Sequence, residues 1–128
     1  MIVTGDQLRA YYELSGYVAD PDAQFIGRWE GERLLGVVAV WNFDGHGCEA
    51  GWFGEPGWLS RGFLRVVFGC IFGQWGCQRI TGRIDDSNVV AVEQSKRLGF
   101  VLEGTLRQAH PGGDVLIFGM LKSECRYG

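Results

Sequence analysis

QRITGRIDDSNVVAVEQSKRLGF, from Gln78 to Phe100, reads as a strand, a polar helix start and a helix. Residues 78–84 form the strand. Asp85-Asp86-Ser87-Asn88 opens the helix, and Gly99 closes it as the left-handed residue just past a helix end. On a 3.6-residue wheel Asn88, Ala91, Val92, Ser95 and Leu98 share one flank, while Glu93, Lys96 and Arg97 share the other. Asn88 and Ser95 thus stand two turns apart, roughly 10 Å along the axis, and point almost the same way. Asn and Ser are mediocre helix residues because their side chains compete for the backbone. A polar pair on the inward flank needs partners, from the protein or from a ligand lying along the helix. The simpler account makes Asn88 an N-cap contributing about 1 kcal/mol and Ser95 a small packing residue.

Outward from this unit the pattern alternates. Residues 4–15 suit a short helix, with Thr4 or Asp6 as its cap, Leu8, Tyr11, Tyr12 and Leu14 as its apolar flank, and Gly16 at its end. Residues 23–30 and 34–43 predict two strands joined by Glu30-Gly31-Glu32-Arg33. The second is almost wholly apolar, as in a strand covered on both faces. Asp44-Gly45 marks a turn before a third strand at 48–54. Residues 59–75 predict a helix that is apolar nearly all round, hence buried. After the quoted unit, residues 100–109 and 114–122 read as two strands joined by His110-Pro111-Gly112-Gly113. The order α, β-β-β, α, β, α, β-β predicts one α/β domain, 1–128: a mixed, strongly twisted sheet flanked by helices, with a parallel pair at its centre.

Composition narrows the function. Of the 128 residues 46% are hydrophobic and 21% charged, and the net charge is −3. That balance supports a core and gives no basic footprint for nucleic acid. Cysteines 48, 70, 77 and 125 form no C-x-x-C pair and have no histidine at ligand spacing, so reduced thiols and no metal site are expected. The sequence shows no signal peptide and no run long enough to span a bilayer, and a soluble, cytoplasmic protein is expected.

Residues 79–124 carry a more specific pattern: Arg79-Ile80, Asn88, Ala91, Leu98-Gly99-Phe100, Glu103-Gly104, Arg107, then Phe118-Gly119-Met120-Leu121. This combination resembles the second half of GNAT-type N-acetyltransferases, in the branch of the ribosomal-protein alanine acetyltransferases. The segments WLSRGFLR, LEGTLR and GMLKSEC are also similar to short acetyltransferases of tailed phages. The resemblance implies an acetyl-CoA co-substrate in a V-shaped gap between two splayed parallel strands, here 48–54 and 78–84. It implies that backbone groups near Trp52, Phe53 and Gly54 hold the pantetheine arm and stabilise an oxyanion, with Gly51 and Gly54 allowing close approach. The pyrophosphate would meet the next helix start, at Ser60, Arg61 and Gly62, although the family's full glycine pattern is absent there. Arg61 or Arg65 would add charge. Asn88 would bind the arm. Ser95 stands where many relatives carry a tyrosine that protonates the leaving thiolate. Glu49, or alternatively Glu55 or Asp44, would act as general base. His46 and His110 read as surface loop residues. The acceptor is an amine of unknown identity, and the final strands of such folds often pair into a homodimer. Two rival readings are a GNAT-shaped binding protein without catalysis and a modifier of nucleic-acid bases. The acidic balance weighs against the second.

Overall fold

The computed structural model describes residues 6–127. Thr4, one of the two expected caps of the first helix, lies outside them. The elements are α1 (Asp6–Glu13), β1 (Gln24–Glu30), β2 (Arg33–Trp41), β3 (Gly47–Gly54), α2 (Arg61–Phe68), a π-helical turn (Gly69–Gln74), β4 (Arg79–Asp85), α3 (Val89–Leu98), β5 (Val101–His110) and β6 (Gly113–Leu121). This is the predicted order. The six strands form one sheet in the order β1-β2-β3-β4-β6-β5. All neighbours are antiparallel except β3 and β4.

Each sheet face buries its own cluster. Leu8 and Tyr12 of α1 cover Phe25, Val37 and Ala39. On the other face α2, the π turn and α3 cover Ile26, Val38, Val40, Ile80, Phe118 and Met120. β2 contributes to both clusters, which is why its sequence is continuously apolar. Among the described residues no helix is long and apolar enough to cross a membrane.

Three local expectations change. Leu14 lies beyond the end of α1 and is 72% exposed, so it is not part of the apolar flank. The helix after β3 is not buried all round: Phe63, Leu64, Val67 and Phe68 are buried, whereas Val66 is 40% exposed. Its continuation is π-helical, marked by the Trp75 N–H donating to the Cys70 carbonyl at 2.8 Å, five residues back. That shift keeps Ile71 and Phe72 on the buried flank.

Candidate functional site

β3 and β4 are paired at only three positions, Gly47 with Arg79, Cys48 with Ile80 and Glu49 with Thr81. Both strands run on, β3 to Gly54 and β4 to Asp85. Past Glu49, β3 stays paired to β2 on one edge and has no strand on the other. The two strands therefore splay, and a cleft of about 750 Å³ opens between them. Residues 50–53 line one side and residues 82–85 the other, with Ala91 and Ser95 of α3 between them.

α3 is fixed at both ends. The Asn88 side chain accepts from the Ala91 N–H at 3.3 Å. Gly99, at φ 106°, ends the helix, and the Phe100 N–H donates to the Ser95 carbonyl at 3.0 Å. Val92 and Leu98 lock the helix into the core. Ser95 is completely buried, and its Oγ has no hydrogen-bond partner in the structure. A buried hydroxyl without a partner costs about 1–3 kcal/mol. It lines the cleft.

Of the residues singled out from the sequence for the site, Gly51, Trp52, Phe53, Asn88 and Ser95 share this cleft. Asn88 does so as an exposed N-cap and not as a buried partner of Ser95, because its oxygen is turned back onto the Ala91 N–H. Trp52 is pinned by its Nε1–H donating to Gln94 Oε1 at 2.9 Å.

Other candidates stand elsewhere. Glu49 is not at the cleft. Its Oε1 accepts from Arg83 Nε at 3.0 Å and its Oε2 from Asn42 Nδ2 at 2.7 Å, so each oxygen already has one partner. Glu55 pairs with Arg33 at 2.7 Å. Asp44 accepts from the His46 and Gly47 N–H groups, and those bonds hold its carboxyl below the usual range. Gly54 has a packing reason to be glycine, since a Cβ there would lie 2.5 Å from the buried Trp58 ring, and it is not among the residues lining the cleft. Gly51, by contrast, lines the cleft, and a Cβ there would lie 2.6 Å from the Tyr12 hydroxyl. Ser60 caps α2, accepting from the Phe63 N–H at 3.2 Å, and Arg61 and Gly62 are exposed at the helix start. Those three lie outside the cleft lining.

The cleft also takes residues of the first helix and of the loops around 17–24 and 108–114, the segments the sequence leaves for acceptor recognition, and of the end of β4. Tyr12 and Tyr17 reach it from α1 and the loop after it, Asp85 from the end of β4, and His110 from the β5–β6 turn. Tyr17 donates to Asp85 Oδ2 at 2.7 Å. Burial, then that bond, push its phenol up to about 12, so it is a neutral donor. His110 Nε2 lies 3.0 Å from Asp86 Oδ1, which raises the imidazole and lowers the carboxyl. Asp86 also accepts from the Asp114 N–H at 3.2 Å, tying the start of α3 to the β5–β6 turn. The one usable sequence signal was positional: Asp85 ends a central strand beside a splay, where α/β sheets place their ligands.

Chemically, the cleft offers an unpaired strand edge to an extended amide-bearing chain. Ser95 offers one hydrogen bond at its base.

No protein-family model and no curated protein matches the chain. Solved structures do. A mutant form of the spermidine N-acetyltransferase SpeG from Vibrio cholerae matches with a TM-score of 0.66 at 22% identity, over 84% of this chain and 68% of that one. The same enzyme in complex with CoA and spermine matches at 0.66 and 22%, over 82% of this chain and 69% of that one. A ribosomal-protein-S5-alanine acetyltransferase from Vibrio fischeri matches at 0.65 and 16%, over 81% of this chain and 64% of that one. With its helix-covered mixed sheet and the cleft where its one parallel pair parts, this chain has the fold of the GNAT N-acetyltransferases.

Proposed function

We propose that the protein is an N-acetyltransferase that moves an acetyl group from acetyl-CoA to an amine by direct attack. The observation that carries the proposal is the parting of β3 from β4 after three pairs, beside a buried Ser95 hydroxyl that has no partner. A pantetheine arm is an extended chain with amides, and it fits beside β3 as a strand would. In this reading peptide N–H groups near Trp52 and Phe53, which line the cleft, stabilise the oxyanion. The start of α2, where Ser60 is the cap and Arg61 and Gly62 are exposed, offers the Arg61 and Gly62 N–H groups and the Arg61 guanidinium to the pyrophosphate. The CoA-bound neighbour of the same fold supports this route, and its spermine supports an amine acceptor.

In the reaction the acceptor ammonium first loses a proton to water at the open mouth, since Glu49 is held by Arg83 and Asn42. The free nitrogen pair attacks the thioester carbonyl, a C–N bond forms, the nitrogen sheds its surplus proton to water to leave the neutral amide, and the C–S bond breaks. Ser95 donates a hydrogen bond to the departing sulfur. A serine hydroxyl is too weak an acid to surrender its proton, so water supplies the proton that completes the thiol. The four free cysteines suit a reducing cytoplasm.

Calorimetry with acetyl-CoA, followed by turnover with amines, peptides and nucleosides, tests the proposal. No binding at millimolar acetyl-CoA ends it. The incomplete glycine pattern at Leu59–Leu64 favours one rival, a binding protein on the same scaffold. Turnover with any acceptor rejects that rival.

A further inference from the structure

At one end the cleft is bounded by the loop between α1 and β1 and by the end of β4. Tyr17 of that loop donates its hydroxyl to Asp85 across a separation of 68 residues in sequence. The loop is braced from α1: Arg9 donates to the Ala19, Asp20 and Pro21 carbonyls at 3.1, 3.1 and 3.2 Å, and Glu13 accepts from the Ala19 N–H at 2.8 Å. Asp20 lines the same cleft. Arg83 and His110 reach it too: Arg83 pairs with Glu49 and His110 with Asp86, each at 3.0 Å, and the Asp85 charge also acts on the His110 imidazole. Among the described residues no salt bridge reaches Asp20 or Asp85. Two unpaired carboxylates alone would be an ordinary solvated rim. The fully buried, unpartnered Ser95 hydroxyl in the same cleft points independently to an occupant.

We infer that Asp85 anchors the ammonium group of a cationic alkylamine, with Tyr17 as the resident donor on that carboxylate. Resting on the acetyl-transfer reading, this names the class of acceptor. The incoming ammonium shares or takes the position of the Tyr17 hydroxyl on Asp85, a charge-assisted bond replacing a weaker one. Asp20 faces a second cationic group on the chain. Tyr12, Val18 and Trp41 supply an apolar wall for the methylenes between. Acceptors carrying a carboxylate or phosphate next to the amine are disfavoured by the same two aspartates.

The test is calorimetric binding of putrescine, butylamine and γ-aminobutyrate to the wild-type chain and to Asp85→Asn, Asp20→Asn and Tyr17→Phe. Putrescine is expected to bind about tenfold or more tighter than γ-aminobutyrate. Asp85→Asn is expected to weaken putrescine by about tenfold or more, the loss of a charge-assisted bond. Tyr17→Phe removes a competitor and is expected to tighten putrescine by about threefold, whereas a purely structural Tyr17 would weaken it. Asp20→Asn is expected to narrow the gap between putrescine and butylamine. Putrescine binding that ignores Asp85→Asn, equals that of γ-aminobutyrate, or is absent at millimolar concentration overturns the inference. Should Asp85→Asn lose its native circular dichroism, the wild-type ligand series and Tyr17→Phe still decide. Acetyl-CoA titrated into the same samples separates the two readings. Binding of acetyl-CoA with amine binding indifferent to Asp85→Asn removes only the anchor. Asp85-dependent putrescine binding without acetyl-CoA binding removes only the acetyl transfer.

Discussion

Substituting Ser95 by Ala separates stability from function, because the two respond with opposite sign. The side chain is wholly buried and its oxygen has no partner. Removing that oxygen relieves a desolvation cost of about 1–3 kcal/mol. Alanine adds about 0.5 kcal/mol of helix propensity at a mid-helix position. The ligand-free variant is therefore expected to be more stable by about 1.5 kcal/mol or more. For a domain of this size that raises Tm by roughly 5 °C or more. Turnover moves the other way. A hydrogen bond to a developing thiolate contributes about 1.5–3 kcal/mol, so kcat falls about ten- to a hundredfold. Urea titration and thermal melts of the free protein measure the first effect, and thiol release from acetyl-CoA measures the second. A stability gain no larger than the 0.5 kcal/mol of propensity alone would show that the hydroxyl is already satisfied. Unchanged kcat would show that it does not face the sulfur. Either result refutes the reasoning.

Asn88→Ala is expected to cost about 1 kcal/mol in urea unfolding through loss of the bond to the Ala91 N–H, and to weaken acetyl-CoA in calorimetry. Gly36→Ala or Gly54→Ala drives a Cβ to within 2.1 or 2.5 Å of the Trp58 ring. Each is expected to destabilise by about 1–3 kcal/mol, read from the same titration. By NMR the His110 imidazole is expected to titrate above 6.5, because the Asp86 hydrogen bond raises it; Asp86→Asn should bring the midpoint back down. With the imidazole raised and the Asp86 carboxyl lowered, the charged clamp lasts from the lowered Asp86 pKa up to the raised His110 pKa. The His110 contribution fades as pH rises through its folded midpoint, and that of Asp86 as pH falls through its own. Hydrogen exchange at the β5–β6 turn across that range checks the window.

What could be read from the residues was local. Asn88 and Gly99 mark the two ends of α3 by their own chemistry, and the apolar run of β2 declares two covered faces. The whole element order follows from such cues. The splay was legible only through resemblance, since nothing within β3 or β4 says where their pairing stops. The surroundings of Glu49 were not legible, because a strand position does not reveal that Arg83 and Asn42 close on its carboxylate from 34 and 7 residues away. Gly54 looked like room for a ligand until Trp58, four residues on, folded back over it. The Tyr17–Asp85 bond has no sequence signal, because it joins a loop to a strand end only once the sheet exists. The π turn escaped because its residues are the same apolar ones that an α-helix would hold.

The three rungs between β3 and β4 also divide the molecule by history as well as by shape. Every strand on one side of them comes from residues 24–54 and every strand on the other from residues 79–121. The first group is built from hairpins between neighbours in the chain, which close quickly because little loop entropy is lost, whereas in the second only β5 and β6 are a hairpin and β4 joins β6 across α3 and β5. The rungs join partners 32 residues apart, Gly47 with Arg79 through Glu49 with Thr81, and need α2 already laid down between them. The rungs are the backbone stitching between the two groups, and the core under α2 and α3, which holds residues of both, is the packing that closes one on the other.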